Sequence, residues 1–314
     1  YIHKDETLKF CVSEGGYWDM FVSIVNKYGI VPYSYNPDTV ESTTVQNVEY
    51  LYTEKIKKDI LKLIELKKNG MDINVLRIEK KKFLQENYIL LCKIYGEPTT
   101  KFNFEYKDKD GNYKKIENLT PIDFKNRFLN LKLEDFVTIG NTPMYNKEYY
   151  KLYQKKHLGN VYGKSYVKYL NLPIEDLKEL SIKQLKDNVP VYMGAHILKF
   201  RDKKSGVLDI RLYNYEDTLN LKRLSKEEAL NLYDISMHHI MSFTGVNLVN
   251  GKPQRWKVED SYGDKEKVNG YYIMNDNFFN EFVLSVVIDK KYLSEKQLKL
   301  LEQEPIKFAV EDTF

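Results

Sequence analysis

His238-His239-Ile240-Met241-Ser242-Phe243-Thr244-Gly245-Val246 and Trp256-Lys257-Val258-Glu259-Asp260-Ser261-Tyr262-Gly263-Asp264 are the two segments that say most about the architecture of this chain. Each sits in or beside an apolar, β-rich run, so two neighbouring strands can set His239 beside Asp260. A histidine on an apolar strand is by itself an ordinary core residue. Asp260 changes the reading, because a buried strand has no structural need for the short polar pair Asp260-Ser261 between Val258 and Tyr262. If the strands pair, Asp260 accepts the Nδ1 proton of His239 and leaves Nε2 to take a proton from a nucleophile. His238, one residue earlier, points to the opposite face and is the exposed or structural partner. An oriented histidine is half of a nucleophilic hydrolase, and an activated cysteine or serine would be the other half.

Neither cysteine fits that role. Cys92 lies in the apolar helical run Tyr88-Ile89-Leu90-Leu91-Cys92-Lys93-Ile94 and reads as a packing residue. Cys11, in Lys9-Phe10-Cys11-Val12, lacks the helix-opening surroundings that lower a thiol pKa. The two have no metal-type spacing, so no metal, cofactor or disulfide framework is expected, and a reducing, cytoplasmic compartment is.

Outward from the strands, the chain divides by periodicity. Gly15-Gly16 precedes a helix with apolar residues at 18, 21, 22 and 25, ended by Gly29. The glycine pair is either a tight entry turn or a place where a peptide backbone lies against the protein's own. Helices follow at about 44–68, with the stripe Val45, Val48, Leu51, Ile56, Ile60, Leu63 and Ile64, and at about 74–95, with Phe83, Ile89, Leu90 and Ile94. Antiparallel packing would bury both stripes. Phe102 to Tyr106 alternates before an Asp110-Gly111 turn, a hairpin signal. Pro121 and Pro173 each read as the first residue of a helix. Residues 189–196 read as a strand, and Ser225 with Glu228 forms a capping box. Strands at about 238–249, 254–261, 270–274 and 282–288 and a helix at about 294–303 complete an α+β layout.

The 314 residues are 42% hydrophobic, enough for a substantial core. No run approaches eighteen apolar residues, which excludes a membrane-spanning helix. The polar start Tyr1-Ile2-His3-Lys4 is no signal peptide, and a first residue other than Met suggests a fragment or processed chain. The 49 basic and 45 acidic residues nearly balance, which argues against a nucleic-acid partner.

Many short motifs, in order, resemble the papain-like cysteine peptidases of the aminopeptidase C and bleomycin hydrolase family. They include Glu14-Gly15-Gly16-Tyr17-Trp18-Asp19-Met20, Lys27-Tyr28-Gly29-Ile30-Val31-Pro32 and Tyr95-Gly96-Glu97-Pro98. Tyr169-Leu170-Asn171-Leu172-Pro173, Thr244-Gly245-Val246 and Gln303-Glu304-Pro305-Ile306 continue the match almost to the end. The resemblance implies a papain-like fold, N-terminally incomplete, with a helical part and an antiparallel β-barrel-like part. It implies a remnant of the helical subdomain over 1–35, a helical and hairpin insertion over 36–157, and a β-rich subdomain over 158–314. His239 takes the catalytic histidine position, Asp260 that of the family's asparagine, and Gly15 and Gly16 that of the substrate-binding glycine pair. The implied activity removes N-terminal amino acids from peptides through a thioester, in a homohexamer, with no cofactor.

Three departures stand out. The family's cysteine and oxyanion-hole glutamine lie before the Gly-Gly loop, in a portion this sequence does not contain, so the chain by itself is expected to be inactive. Asp260 replaces asparagine and favours imidazolium by its charge. Tyr262 replaces the usual tryptophan, and the tail Ala309 to Phe314 diverges. The alternative reading is an inactive homologue that acts only in assembly or peptide binding.

Overall fold

The computed structural model describes residues 15–43, 45–156, 158–164, 166–260 and 270–308. Cys11, Ser261, Tyr262 and the tail from Ala309 lie outside the described residues. The chain forms two compact units, one of residues 1–16 and 23–131, the other of 17–22 and 132–314.

In the first unit, helices α2 (Val45–Lys68) and α3 (Ile73–Tyr95) form an antiparallel hairpin. Asp72 caps α3, accepting from the amides of Asn74 and Val75. Polar groups fasten the seam: Lys55 Nζ reaches Glu86 at 3.1 Å, and Asn87 Nδ2 donates to Asp59 at 2.7 Å. The apolar stripes are only partly covered, with Leu51 67% and Ile89 46% exposed. A seam between two helices shields one narrow strip, and ion pairs and Asn87 occupy part of this one. Strands β1 (Phe102–Lys107) and β2 (Tyr113–Leu119) pair as the expected hairpin, its turn held by Asp108 accepting from the amides of Asp110 and Asn112. Phe104 and Tyr106 pack their rings on Phe124 and Phe128 of α4 (Pro121–Phe128). Thr120 and Asp123 form a capping box with Pro121 in the first turn, as its missing N–H permits. Helix α1 (Trp18–Tyr28) ends at Gly29, whose φ of +78° lets its backbone lie against Pro121.

The second unit is built on a sheet. Its strands are β3 (Phe136–Gly140), β4 (Lys151–Lys155), β5 (Lys168–Asn171), β6 (Val191–Ala195), β7 (Arg201–Asp202) and β8 (Val207–Leu208). After them come β9 (His239–Val249), β10 (Lys252–Glu259), β11 (Tyr271–Asn275), β12 (Val283–Asp289) and β13 (Ile306–Phe308). The spatial order among the described residues is β13-β4-β5-β3-β12-β6-β9-β10-β11-β8-β7. Most pairs are antiparallel, whereas β3 with β5, β4 with β13 and β8 with β11 run parallel. Strand β12 reads Val-Leu-Ser-Val-Val-Ile and is buried along that length, as a strand covered on both faces must be. Helices α5 (Ile174–Lys186) and α8 (Asp276–Phe282) cover the core with Leu177, Leu180, Phe278 and Phe279. Pro173 stands one place before α5, as its N-cap, where its extended backbone ends the preceding strand. The Ser225–Glu228 capping box opens α7 (Lys226–Asn231), which follows the short α6 (Tyr215–Leu219). A second box, Ser294 with Gln297, opens α9 (Glu295–Leu300). Among the described residues no helix is long and apolar enough to cross a membrane.

Candidate active site

The site grows from the register of β9 on β10. Val258 pairs with Phe243 and Glu259 with Ser242, whereas Lys257 pairs with Gly245, so Thr244 is an extra residue on β9. Such a bulge changes the parity of the strand. It lets Phe243 share a face with both Val258 and Trp256 of β10. Phe243, Trp256 and Phe279 then stack at centroid separations of 4.8–5.4 Å. Two-residue steps along that face run Phe243, Met241, His239 on one strand and Trp256, Val258, Asp260 on the other. Both polar residues thus stand where the buried face ends.

His239 and Asp260 meet there. Nε2 of His239 lies 2.9 Å from Oδ1 of Asp260. A carboxylate only accepts, so Nε2 carries the proton of this bond. The Asp260 side chain is 0% exposed and that of His239 16%, which screens the pair from water and strengthens it. The sequence reading gave this bond to Nδ1, and the structure gives it to Nε2. Continuing the register sets Asp260 across from Met241, so His239 is its diagonal neighbour rather than its direct partner. A diagonal gap is wide, and only the distal nitrogen of the ring spans it to a short carboxylate.

Strand β6 flanks β9 on its other side, with Ala195 opposite His239 and Gly194 opposite Ile240. A Cβ on Gly194 would fall 2.2 Å from Sδ of Met237 and 2.8 Å from Oγ of Ser285, so any larger residue here would have to displace those two side chains. His238 precedes β9, is exposed as expected, and donates its amide to Ala195 O at 3.2 Å. Its ring centroid lies 6.4 Å from that of His239. The first turn of α1 supplies a wall of aromatic rings. Trp18 packs on Tyr192 of β6 and Phe136 of β3. Burial pushes the hydroxyls of Tyr17 and Tyr192 up to about 12. It also raises the Asp19 carboxyl to about 6, against the pull of Lys168.

Gly15 has φ +85° and open space around it, so conformation rather than crowding calls for glycine there. Gly15 and Gly16 belong to the first unit, and His239 and Asp260 to the second. Cys92 is a half-buried free thiol on α3 of the first unit. Among the described residues there is no group of three or more His, Cys, Asp or Glu that could hold a metal ion. Sequence reasoning passed over His196 and Met237. The only signal for either was its closeness in the sequence to the β6 and β9 runs.

Comparison with known proteins places this geometry. Residues 4–314 match the Peptidase C1-like family. The chain is 38% identical over 308 residues to aminopeptidase G of Lactobacillus delbrueckii subsp. lactis, covering 97% of itself and 69% of that protein. It is 35% identical to aminopeptidase C of Listeria monocytogenes, over 93% of itself and 66% of the relative. It is 34% identical to bleomycin hydrolase of Gallus gallus, over 94% and 66%. The crystal structure of PepW from Lactobacillus rhamnosis superposes with a TM-score of 0.93 at 37% identity, over 98% of this chain and 70% of that one. The chain thus spans about two thirds of the length of the relatives it matches. Its α+β architecture is the papain-like peptidase fold, and the chain belongs to the Peptidase C1-like family.

Proposed function

We propose that the complete protein is a cysteine aminopeptidase, with His239 as its acid–base catalyst and Asp260 orienting that ring. The observation that carries the reading is the 2.9 Å contact between His239 Nε2 and a fully buried Asp260 carboxylate, at the rim of the sheet face. The similarity to aminopeptidases C and G supports the substrate class. With Nε2 held by Asp260, Nδ1 is the nitrogen for the chemistry. The nucleophile is a cysteine in a segment that precedes Gly15-Gly16, consistent with relatives longer than this chain.

The reaction follows from those roles. The cysteine thiolate attacks the carbonyl carbon of the N-terminal residue. The imidazolium gives its Nδ1 proton to the leaving amine, and the C–N bond breaks to leave a thioester. Water then attacks, and Nδ1 takes its proton. The thiolate leaves, restoring the thiolate–imidazolium pair, and the released acid gives its remaining proton to the solvent. Gly15-Gly16 offers a side-chain-free backbone for the peptide. Asp260 keeps the ring oriented through both steps. Assembly into a homohexamer in a reducing compartment is part of the same proposal, and exposed apolar residues such as Leu51, Leu84 and Tyr88 on the helical hairpin support it.

The test is turnover of a fluorogenic aminoacyl amide by the complete protein. The expected result is hydrolysis that thiol alkylation abolishes and that His239→Ala lowers about 10⁴-fold or more. The 314-residue chain alone is expected to be silent. Turnover that survives His239→Ala, or a complete protein that binds peptide without cleaving it, would overturn the reading in favour of an inactive homologue.

A further inference from the structure

His196 directly follows β6, beside the segment that leads into β9, and it takes no part in the chemistry above. It is 6% exposed. Its amide donates to Phe282 O at 2.9 Å, and its ring lies beside the rings of Phe282 and His238. Nδ1 lies 3.3 Å from the amide nitrogen of Ser236 and 3.2 Å from its carbonyl oxygen. Nε2 is buried with no hydrogen-bond partner among the described residues. Ser236 is three residues before His239, and Ala195 O holds the intervening His238 amide. The ring of His196 and the end of β6 therefore grip the stretch that delivers His239 to its strand.

We propose that His196 is a positioning residue: its neutral ring latches Ser236, and acid opens the latch and loosens the segment that presents His239. The inference rests on reading His239 as the base, although the latch itself can be observed without turnover.

The charge states decide how the latch behaves. In the neutral ring, Nδ1 can accept the Ser236 N–H. In the charged ring both nitrogens are donors, so Nδ1 no longer accepts the Ser236 N–H and can instead donate to the Ser236 carbonyl 3.2 Å away, which favours the charged form but is outweighed by burial. Nε2 carries a proton in the accepting neutral ring as well as in the charged one, and is buried without an acceptor among the described residues in both. The charged neighbours are Lys199 and His238, which disfavour a further positive charge, and Asp234, which favours it but is itself paired with Lys199. On the α8 side the ring meets the apolar Phe282. Burial, the largest influence, holds the His196 pKa below its ordinary value. A released segment would take up a proton near the usual histidine value of about 6.5. Opening is therefore favoured progressively as pH falls below that value, and the effect levels off below the ring's own lowered pKa.

The experiment is an NMR titration of the chain with labelled histidine rings and amides. Expected are a His196 midpoint below about 6.5 and a Ser236 amide that moves with the same midpoint. In His196→Asn the side-chain oxygen can still accept from Ser236 and does not titrate, so the Ser236 amide should stay still over that range. His196→Phe keeps a ring but no acceptor, and amide exchange over residues 236–239 should rise about tenfold. A Ser236 amide indifferent to His196, or unchanged exchange in the Phe variant, overturns the latch. In the complete protein, His196→Phe should lower kcat about tenfold with little change in KM. His196→Asn should keep neutral activity and flatten the acid limb of the pH profile. Wild-type profiles in both variants would overturn the positioning role. Absence of turnover in the unmutated protein would instead refute the peptidase reading and leave the NMR result to decide the latch.

Discussion

Asp260 is a carboxylate where a neutral amide could accept the same Nε2–H bond, and its side chain is fully buried. Its negative charge is what an amide would lack. Asp260→Asn in the complete protein should keep the ring oriented and retain activity within about tenfold. Asp260→Ala should lose about a hundredfold or more, because the bond that orients the ring through Nε2 is then lost. Profiles of kcat/KM against pH for the two variants check this, and equal losses would mean that the carboxylate has another task. The contact itself was legible, since a short acidic residue inside an apolar strand asks for a partner. Which nitrogen it binds was not, because that depends on a diagonal reach across two strands.

The ends of elements follow local chemistry. Gly29 closes α1 with φ +78°, and a Cβ there would lie 2.1 Å from the carbonyl carbon of Pro121. Backbone cannot move aside as a flexible side chain can. Gly29→Ala should therefore destabilise the chain by about 3 kcal/mol or more, read as a lower urea midpoint at unchanged slope. A loss under about 1 kcal/mol would show that α4 moves freely there. Caps, prolines and glycines made α1, α2 and α3, and the starts of α4 and α7, readable to within a residue or two. Helix α8 was not, because seven residues between two strands show no helical period. The two-residue strands β7 and β8 exist only through pairing with each other and with β11.

At the scale of the whole molecule, a lysine is shut inside the sheet unit. Lys226 Nζ donates to Asn141 Oδ1 and to Val283 O, both at 2.6 Å. Burial lowers its pKa to about 7, Lys178 adds repulsion, and Glu281 opposes both. The unfolded chain binds that proton below about 10.4, whereas the folded chain binds it only below about 7. Stability should therefore rise with pH across that window, by at most about 1.4 kcal/mol per pH unit. Urea unfolding at several pH values should show the slope in the wild type and its loss in Lys226→Met. A slope that persists in the variant would assign it to other groups. Nothing in the sequence around Ser225-Lys226-Glu227 marks this lysine as buried, since as the first residue of a capped helix it reads as solvent-facing.

The linear order of residues determined the class of the fold, the kind and limits of most elements, and the two residues that meet at the site. Those properties depend on neighbours a few positions away, through side-chain period, caps and backbone restrictions. Tertiary structure alone decided the parallel pairs, the bulge at Thr244, the nitrogen that faces Asp260, and the burial of His196 and Lys226. Each of these depends on how distant strands are offset against one another, and shifting a strand by one residue turns its side chains to the other face.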